Sequence, residues 1–168
     1  MHKYIYILLL FLGFPLHALC QANSMEAEMH MQGNSLSNEF QPYEICADFK
    51  YNILKRLYVK CEFEHTIALF NINGNKDYYT NNMLGAKIGY TFLSISDLSM
   101  SAACGIGDNL QKNNNWKYSY YDAGIYAYIG HYIIRPCIGV LLRKYDSRNS
   151  NFHDYTRLLM SLGVNIKI

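Results

Sequence analysis

The stretch YTRLLMSLGVNIKI, Tyr155 to Ile168, alternates between apolar residues and polar or small residues with a period of two. Its even positions from 158 onward are all apolar: Leu158, Met160, Leu162, Val164, Ile166 and Ile168. Its odd positions include the polar or small residues Arg157, Ser161, Gly163, Asn165 and Lys167. Successive side chains of a β-strand point to opposite faces, so this stretch predicts a strand with one apolar face.

The same alternation recurs in seven segments upstream, which begin near Met25, Tyr43, Leu57, Leu84, Leu98, Tyr121 and Ile134. The first of them is rich in methionine and is also compatible with a helix. Longer polar links (33–40, 71–81, 108–115 and 146–151) alternate with short links near 52–55, 94–97 and 130–131. This pattern predicts an all-β fold, an up-and-down antiparallel barrel of about eight strands. Pro136 lies inside one segment and predicts a local bulge.

Residues 1–22 have the three-part pattern of a secretory signal peptide. His2 and Lys3 precede an apolar stretch from Tyr4 to Phe14, and small residues follow it. The apolar stretch is shorter than the ~20 residues that a membrane-spanning helix needs. We expect cleavage after Cys20 or Ala22, which leaves residues 23–168 as the barrel domain. An N-terminal membrane anchor and lipidation of Cys20 are the alternatives.

Charge and cysteine content exclude several classes of partner. The formal net charge is +2 and the sequence has no basic stripe, so no nucleic-acid partner is predicted. The four cysteines after the signal peptide are irregularly spaced without a CxxC pair, which predicts neither a zinc site nor another cofactor. The alternation places Cys46 and Cys137 on the polar face and Cys61 and Cys104 on the apolar face. Partners in a hairpin must share a face, so the cysteines are predicted to remain unpaired.

Two kinds of closed barrel share this topology and differ in which face is apolar. A lipocalin-type barrel is soluble and apolar inside, whereas a membrane barrel is apolar outside. The apolar face runs for about 10 residues per strand, which matches the hydrocarbon band. The polar face contains small residues that fit a narrow lumen: Gly85, Gly89, Gly105, Gly107, Gly124, Gly139 and Gly163. We therefore predict a membrane barrel, with a soluble ligand-binding barrel as an alternative.

Aromatic residues near the strand ends suit two interfacial girdles at the membrane surfaces. This interpretation applies to Tyr43, Tyr51, Phe92, Trp116, Tyr121 and Phe152. Ordinary β-propensity is the other explanation for them.

The chain resembles the small eight-stranded outer-membrane barrels, the group that contains the OmpA transmembrane domain and OmpX. The terminal residues Ser161, Gly163, Ile166 and Ile168 resemble the C-terminal assembly signal of such proteins. The resemblance implies a cell outer membrane location in a Gram-negative bacterium. It also implies two partners, the outer-membrane lipid and the barrel assembly machinery.

Charged residues of the polar face predict an interior charge network. Acids predominate early in the chain, at Glu26, Glu28, Glu44, Asp48, Glu62 and Glu64, and bases lie later, at Lys87, Arg135, Arg143, Arg157 and Lys167. Closing the barrel brings the first strand beside the last, so acids and bases should meet and fill the lumen. This arrangement favours a structural or surface-interaction protein with short polar loops. A narrow pore is the alternative.

One loop contains residue types that a lipid-modifying enzyme would use. His153 and Asp154 lie close in sequence to Ser147 and Ser150. A nucleophile and its base need hydrogen-bond reach and a third orienting group, and one loop gives no sign of that geometry. No catalytic, cofactor or metal residue is therefore predicted, and the sequence identifies no extracellular ligand.

Overall fold

The structure of the chain is a computed structural model that describes residues 24–37, 39–72, 74–110, 116–148 and 152–168. The predicted signal peptide, residues 1–22, lies outside the described residues. All the secondary structure discussed below falls within the barrel domain predicted for residues 23–168.

Eight strands close into one barrel in chain order. Their bounds are β1 (Ser24–Gly33), β2 (Phe40–Asn52), β3 (Leu57–Ile72), β4 (Asn75–Ile95), β5 (Leu98–Asn109), β6 (Tyr118–Ile129), β7 (Ile134–Ser147) and β8 (Tyr155–Lys167). Each strand pairs antiparallel with the next, and β8 closes the barrel by pairing antiparallel with β1. The predicted up-and-down antiparallel barrel is confirmed.

Among the described residues, no helix is long and apolar enough to cross a membrane.

The methionine-rich first segment is a strand and not a helix. Met29 and Met31 are exposed on the outside of the barrel, while Glu28 and His30 between them are buried inside. The strand alternation seen in the sequence therefore holds from the first residues of β1, because this segment pairs with a neighbour on each side.

The polar segment 71–81 was predicted to be a long loop, and this prediction is wrong. β3 continues to Ile72 and β4 starts at Asn75, with these two residues paired across a two-residue link. Gly74 in that link has a φ of 85°. An Asn-Gly pair, here at 73–74, favours such tight hairpin turns, because its residues tolerate positive φ. The polar composition reflects a hairpin that extends past the rest of the barrel.

Pro136 lies in β7 without the predicted bulge. It faces outward and stays in register with β8. Lys167 donates its main-chain N–H to the Ile133 carbonyl (2.9 Å), so odd-numbered residues here direct their main-chain groups toward β8. The nitrogen of Pro136 is therefore directed toward β6, whose pairing with β7 ends at Tyr128 and Cys137. The missing N–H falls just beyond the end of that ladder and interrupts nothing.

The outer surface of the barrel is apolar along the strands. Exposed side chains on it include Ile45, Phe63, Ile88, Ile125, Val140 and Leu162. A soluble lipocalin-type barrel has the opposite arrangement, with its apolar residues inside. The exterior therefore fits a hydrocarbon environment and disagrees with the soluble alternative.

The cysteines follow the predicted facing. Cys46 and Cys137 are buried in the lumen, Cys61 and Cys104 are exposed on the outer face, and all four are free thiols. Cys61 is paired across β2 and β3 with Phe49, and Cys46 with Glu64, so the register of this hairpin does not bring Cys46 and Cys61 together.

Candidate functional site in the barrel lumen

Alternate residues of every strand point into a lumen filled by polar and charged side chains. Seven carboxylates and five basic groups of the described residues are buried there: Glu26, Glu28, Glu44, Asp48, Glu62, Glu64 and Asp122 with Lys50, Lys60, Lys87, Arg135 and Arg143. Eight strands enclose a space only wide enough for side chains. Because buried charges are costly unless they are paired, these groups contact each other across the barrel.

Arg143 is the central cation in the half of the lumen nearer the long links. Its Nη1 lies 2.8 Å from Glu44 Oε2 and 2.5 Å from Glu64 Oε2. Its Nη2 lies 2.7 Å from Asp122 Oδ2, and the guanidinium covers the ring of Tyr120 at 3.7 Å from the centroid. Nη2 also donates to Glu62 Oε1 at 3.4 Å. A fully buried guanidinium is tolerated here because four carboxylates accept its hydrogen bonds.

Two lysines occupy the middle of the lumen. Lys60 Nζ lies 2.8 Å from Glu28 Oε2 and 2.9 Å from Asp48 Oδ2, so it links β3 to β1 and β2. Lys87 Nζ lies 2.8 Å from Glu62 Oε2 on the neighbouring strand. Each ammonium group is therefore neutralised by a carboxylate that is itself out of contact with water.

Glu26 is the acceptor at the end nearer the short links. Its Oε2 lies 2.9 Å from Lys50 Nζ and 3.0 Å from Arg135 Nη2. Asn165 donates to the same oxygen at 2.9 Å. These four residues come from β1, β2, β7 and β8, so the cluster ties the closing strand pair to both of its neighbours.

Aromatic rings fill the lumen between Arg143 and the long links. The cluster contains Phe40, Phe70, Trp116, Tyr118, Tyr120 and Tyr145, with Tyr79, Phe152 and Tyr155 packed against it. Trp116 stacks on Tyr118 with 4.3 Å between centroids and meets Phe70 edge-on at 4.9 Å. We call these rings the aromatic plug. They close the loop end of the barrel with tightly packed apolar side chains.

A second group of rings lies among the charges near the short links. Tyr58 and Tyr128 flank Lys50, whose Nζ lies 4.4 Å and 5.0 Å from the two ring centroids. The Tyr128 hydroxyl donates to Glu28 Oε2 at 3.2 Å. A Cβ at Gly89 would collide with the Tyr58 ring, so glycine leaves the room that the ring occupies.

The structure brings nine of the eleven predicted network residues into one lumen. They are Glu26, Glu28, Glu44, Asp48, Glu62, Glu64, Lys87, Arg135 and Arg143. Arg157 is a correction, because it donates to the main-chain oxygens of Phe40 and Thr156 and lies beside the aromatic plug instead of the acids. Lys167 is a second correction, because it is exposed at the end of β8.

Sequence reasoning left several lumen residues out of the network: Lys50, Lys60, Asp122, His30, Cys46 and the inward tyrosines. The alternation already places Lys50, Lys60, Asp122, His30 and Cys46 on the inward face, but it does not show which charges lie close enough to join the network.

The predicted aromatic girdles need one correction. Tyr43, Phe92 and Tyr121 are exposed on the outer face, where a girdle would place them. Trp116 is fully buried, and Phe152 packs with it in the aromatic plug. Both residues lie just before a strand, and a position near a strand end does not reveal which face a side chain takes.

The four residues of the terminal signal occupy both faces of β8. Ser161 is buried and Gly163 faces the lumen, whereas Ile166 and Ile168 are exposed outside. A Cβ at Gly163 would collide with the main chain of Met29 and His30 on β1.

The residues considered for catalysis do not form a triad among the described residues. Asp154 accepts a hydrogen bond from the main-chain N–H of Ser147 at 3.0 Å and lies 3.8 Å from Lys144 Nζ. His153 is exposed. Ser150 lies outside the described residues.

The fold and its apolar exterior define a small transmembrane β-barrel. No protein-family model and no curated protein matches the sequence. Two solved structures share the fold at 10% sequence identity, each covering 88% of this chain and 98% of its own. One belongs to a study of de novo designed transmembrane β-barrels (TM-score 0.56), and the other is the N-terminal β-barrel domain of OprF from Pseudomonas aeruginosa (TM-score 0.54). The chain is thus similar to the small outer-membrane barrels in fold.

Proposed function

We propose that this protein is a small outer-membrane barrel plugged by its own side chains, with a structural or surface-interaction role. The observation that carries the proposal is the lumen itself, in which Arg143 binds four carboxylates directly below the aromatic plug. A pore needs a continuous file of water, and an eight-stranded barrel has little room beyond its side chains. Paired charges and packed rings occupy that room.

The hairpin of β3 and β4 supports a surface role. Its tip residues Lys76, Asp77 and Tyr78 are exposed, and the side chain of Tyr78 is 71% accessible. A polar hairpin with an exposed aromatic side chain is a suitable contact surface. The proposal leaves the extracellular ligand open and includes no enzymatic activity, cofactor or nucleic-acid partner.

Outer-membrane lipid is the proposed partner of the apolar exterior, and the barrel assembly machinery is the proposed partner of the terminal signal. Cell fractionation tests this location. We expect the protein to be extracted only by detergents that dissolve the outer membrane and to show heat-modifiable gel mobility. Recovery in the soluble fraction would contradict the location.

Conductance in planar bilayers tests the plugged lumen. We expect no steady current from the wild type, because ion pairs and rings fill the path. A double variant, Arg143→Ala with Trp116→Ala, should pass small ions, since it removes the centre of the charge network and of the aromatic plug. Lys144→Ala is the matched control, because Lys144 is the outward neighbour of Arg143. Stable, large currents from the wild type would overturn the proposal in favour of a pore.

A further inference from the structure

His30 is the least satisfied polar side chain of the lumen. It points inward from β1 and is 3% exposed, and both of its ring nitrogens lack a hydrogen-bond partner. A buried imidazole normally has a partner on at least one nitrogen, because leaving a polar atom desolvated and unpaired costs about 1 to 3 kcal/mol. Its environment therefore indicates a missing partner.

His30 lies beside a thiol and a carboxylate. His30 and Cys46 are directly opposite on β1 and β2, and Glu62 of β3 completes the group. The ligand atoms of the three residues all lie within 4.8 Å of one another, and Nε2 is 3.9 Å from Glu62 Oε2. Tetrahedral zinc places N, O and S ligands about 3.4 to 3.6 Å apart, so combined side-chain shifts of up to about 1 Å would complete such a site.

The other ring nitrogen faces two more carboxylates. Nδ1 of His30 lies 3.7 Å from Glu28 Oε1 and 3.6 Å from Asp48 Oδ2. A histidine that binds a metal usually donates its second N–H to a carboxylate, which fixes the ring and its tautomer. Both carboxylates are held by Lys60, so they suit this orienting role better than the role of ligands.

The charge balance of the lumen favours an added cation. Buried carboxylates outnumber buried lysine and arginine side chains by seven to five among the described residues. Uncompensated negative charge inside a closed barrel is expensive. A divalent ion bound with loss of the Cys46 thiol proton would add one net positive charge. If Glu62 bound the metal, Lys87 would still have a carboxylate partner, because its Nζ also lies 3.2 Å from Asp122 Oδ2.

From this geometry we propose that the lumen binds one divalent transition-metal ion of the zinc type through His30, Cys46 and Glu62. Imidazole, thiolate and carboxylate are the ligands that zinc prefers, and three of them leave a fourth position for water. The three ligands come from three different strands, so they form no spacing motif in the sequence, and sequence analysis did not predict the site. The aromatic plug and the Glu26 cluster enclose the site, so the ion enters during folding and exchanges slowly afterwards.

The test is to unfold the full chain in urea with a reductant and to refold it in detergent with Co²⁺. Excess metal is removed with a chelator, and heat-modifiable mobility identifies folded protein. We expect one chelator-resistant Co²⁺ per folded chain and the near-ultraviolet absorption of a cobalt thiolate. Zn²⁺ supplied at refolding should compete for the site. Unfolding the barrel again should release the ion to the chelator.

Cys46→Ser and Cys137→Ser form a matched pair, because both thiols are buried in the lumen and only Cys46 belongs to the ligand group. Cys46→Ser should lose the thiolate absorption and at least tenfold in cobalt affinity, whereas Cys137→Ser should keep both. If Cys46→Ser does not fold, the cobalt content and absorption of the folded wild type still test the proposal. Folded wild type without chelator-resistant cobalt, or with cobalt but no thiolate absorption, overturns the proposal. Loss of the absorption in Cys137→Ser alone would do the same.

Discussion

Arg143 on β7 and Glu44 on β2 lie 2.8 Å apart across the lumen, although β8 and β1 separate their strands around the barrel. The contact therefore requires the pairing of β8 with β1 that closes the barrel. The two residues are 99 positions apart in the sequence, so their contact is not a local one. The ion pair thus reports the closed state and not the formation of any single hairpin.

Replacing Arg143 by Met should destabilise the barrel by about 3 to 5 kcal/mol, because the four carboxylates around it would lose their shared cation while staying buried. Methionine keeps most of the side-chain volume, so a cavity contributes little. The free energy of unfolding in urea, measured on detergent-refolded protein by gel mobility, checks the value. Lys144→Met is the control, because Lys144 is an exposed neighbour whose contact with Asp154 is 3.8 Å long. Equal urea midpoints for the two variants would contradict the role of Arg143.

Gly163→Ala should lower stability by about 1 to 3 kcal/mol, the usual cost of an added group in a packed space. Gly163 is opposite His30 in the closing strand pair, where an added Cβ would meet the main chain of β1. Refolding the purified variant in detergent separates packing from recognition, because no assembly machinery is present. Ser161→Ala belongs to the same terminal signal but adds no atom, so its urea midpoint should stay near that of the wild type. An unchanged midpoint for Gly163→Ala would mean that Gly163 matters only as part of the signal.

The facing of strand residues could be predicted from sequence because it depends only on parity along each strand. Glu28, Glu44 and Arg143 were placed inside on this basis, and the structure puts them there. Whether a residue occupies an odd or an even position depends only on the local sequence. The predicted face therefore stays the same when the ends of a strand are placed one or two residues differently.

The height of a residue along the barrel could not be predicted, because it depends on the stagger between strands. Arg157 has inward parity like Arg143, yet it lies at the loop end, near the ring of Phe40. Which acid meets which base follows from that stagger. For the same reason the sequence could not predict that His30 and Cys46 lie side by side, because their pairing depends on the register of β1 against β2.

Ile125→Lys should destabilise the membrane-embedded barrel by about 2 to 4 kcal/mol, because a lysine at mid-depth meets hydrocarbon. Ile125 is exposed on the outer face near the middle of β6. Ile134→Lys is the matched control, since Ile134 is equally apolar and exposed but starts β7 near the short links. Ile134→Lys should destabilise the barrel by only about 0 to 1 kcal/mol, because its lysine lies at the membrane interface. Urea unfolding in lipid vesicles measures both. Equal costs would contradict the assigned depth of the barrel in the bilayer.

The last prediction concerns Trp116, the single tryptophan of the chain. Its indole is fully buried in the aromatic plug, within ring-contact distance of Phe40 (5.4 Å), Phe70 and Tyr118. It should therefore be protected from both solvents that surround a membrane barrel. We expect its fluorescence to resist aqueous acrylamide and also lipids brominated along the acyl chain.

A relocated tryptophan supplies the control for this measurement. Trp116→Phe combined with Tyr121→Trp moves the fluorophore to the outer face, where the side chain of Tyr121 is 55% exposed. Brominated lipid should quench this variant strongly, since the new indole contacts the bilayer. If brominated lipid quenched the wild type to the same extent, Trp116 would belong to the interfacial girdle and not to the plug. The end of the lumen near the long links would then lack its central ring, and only the charge network would plug the barrel.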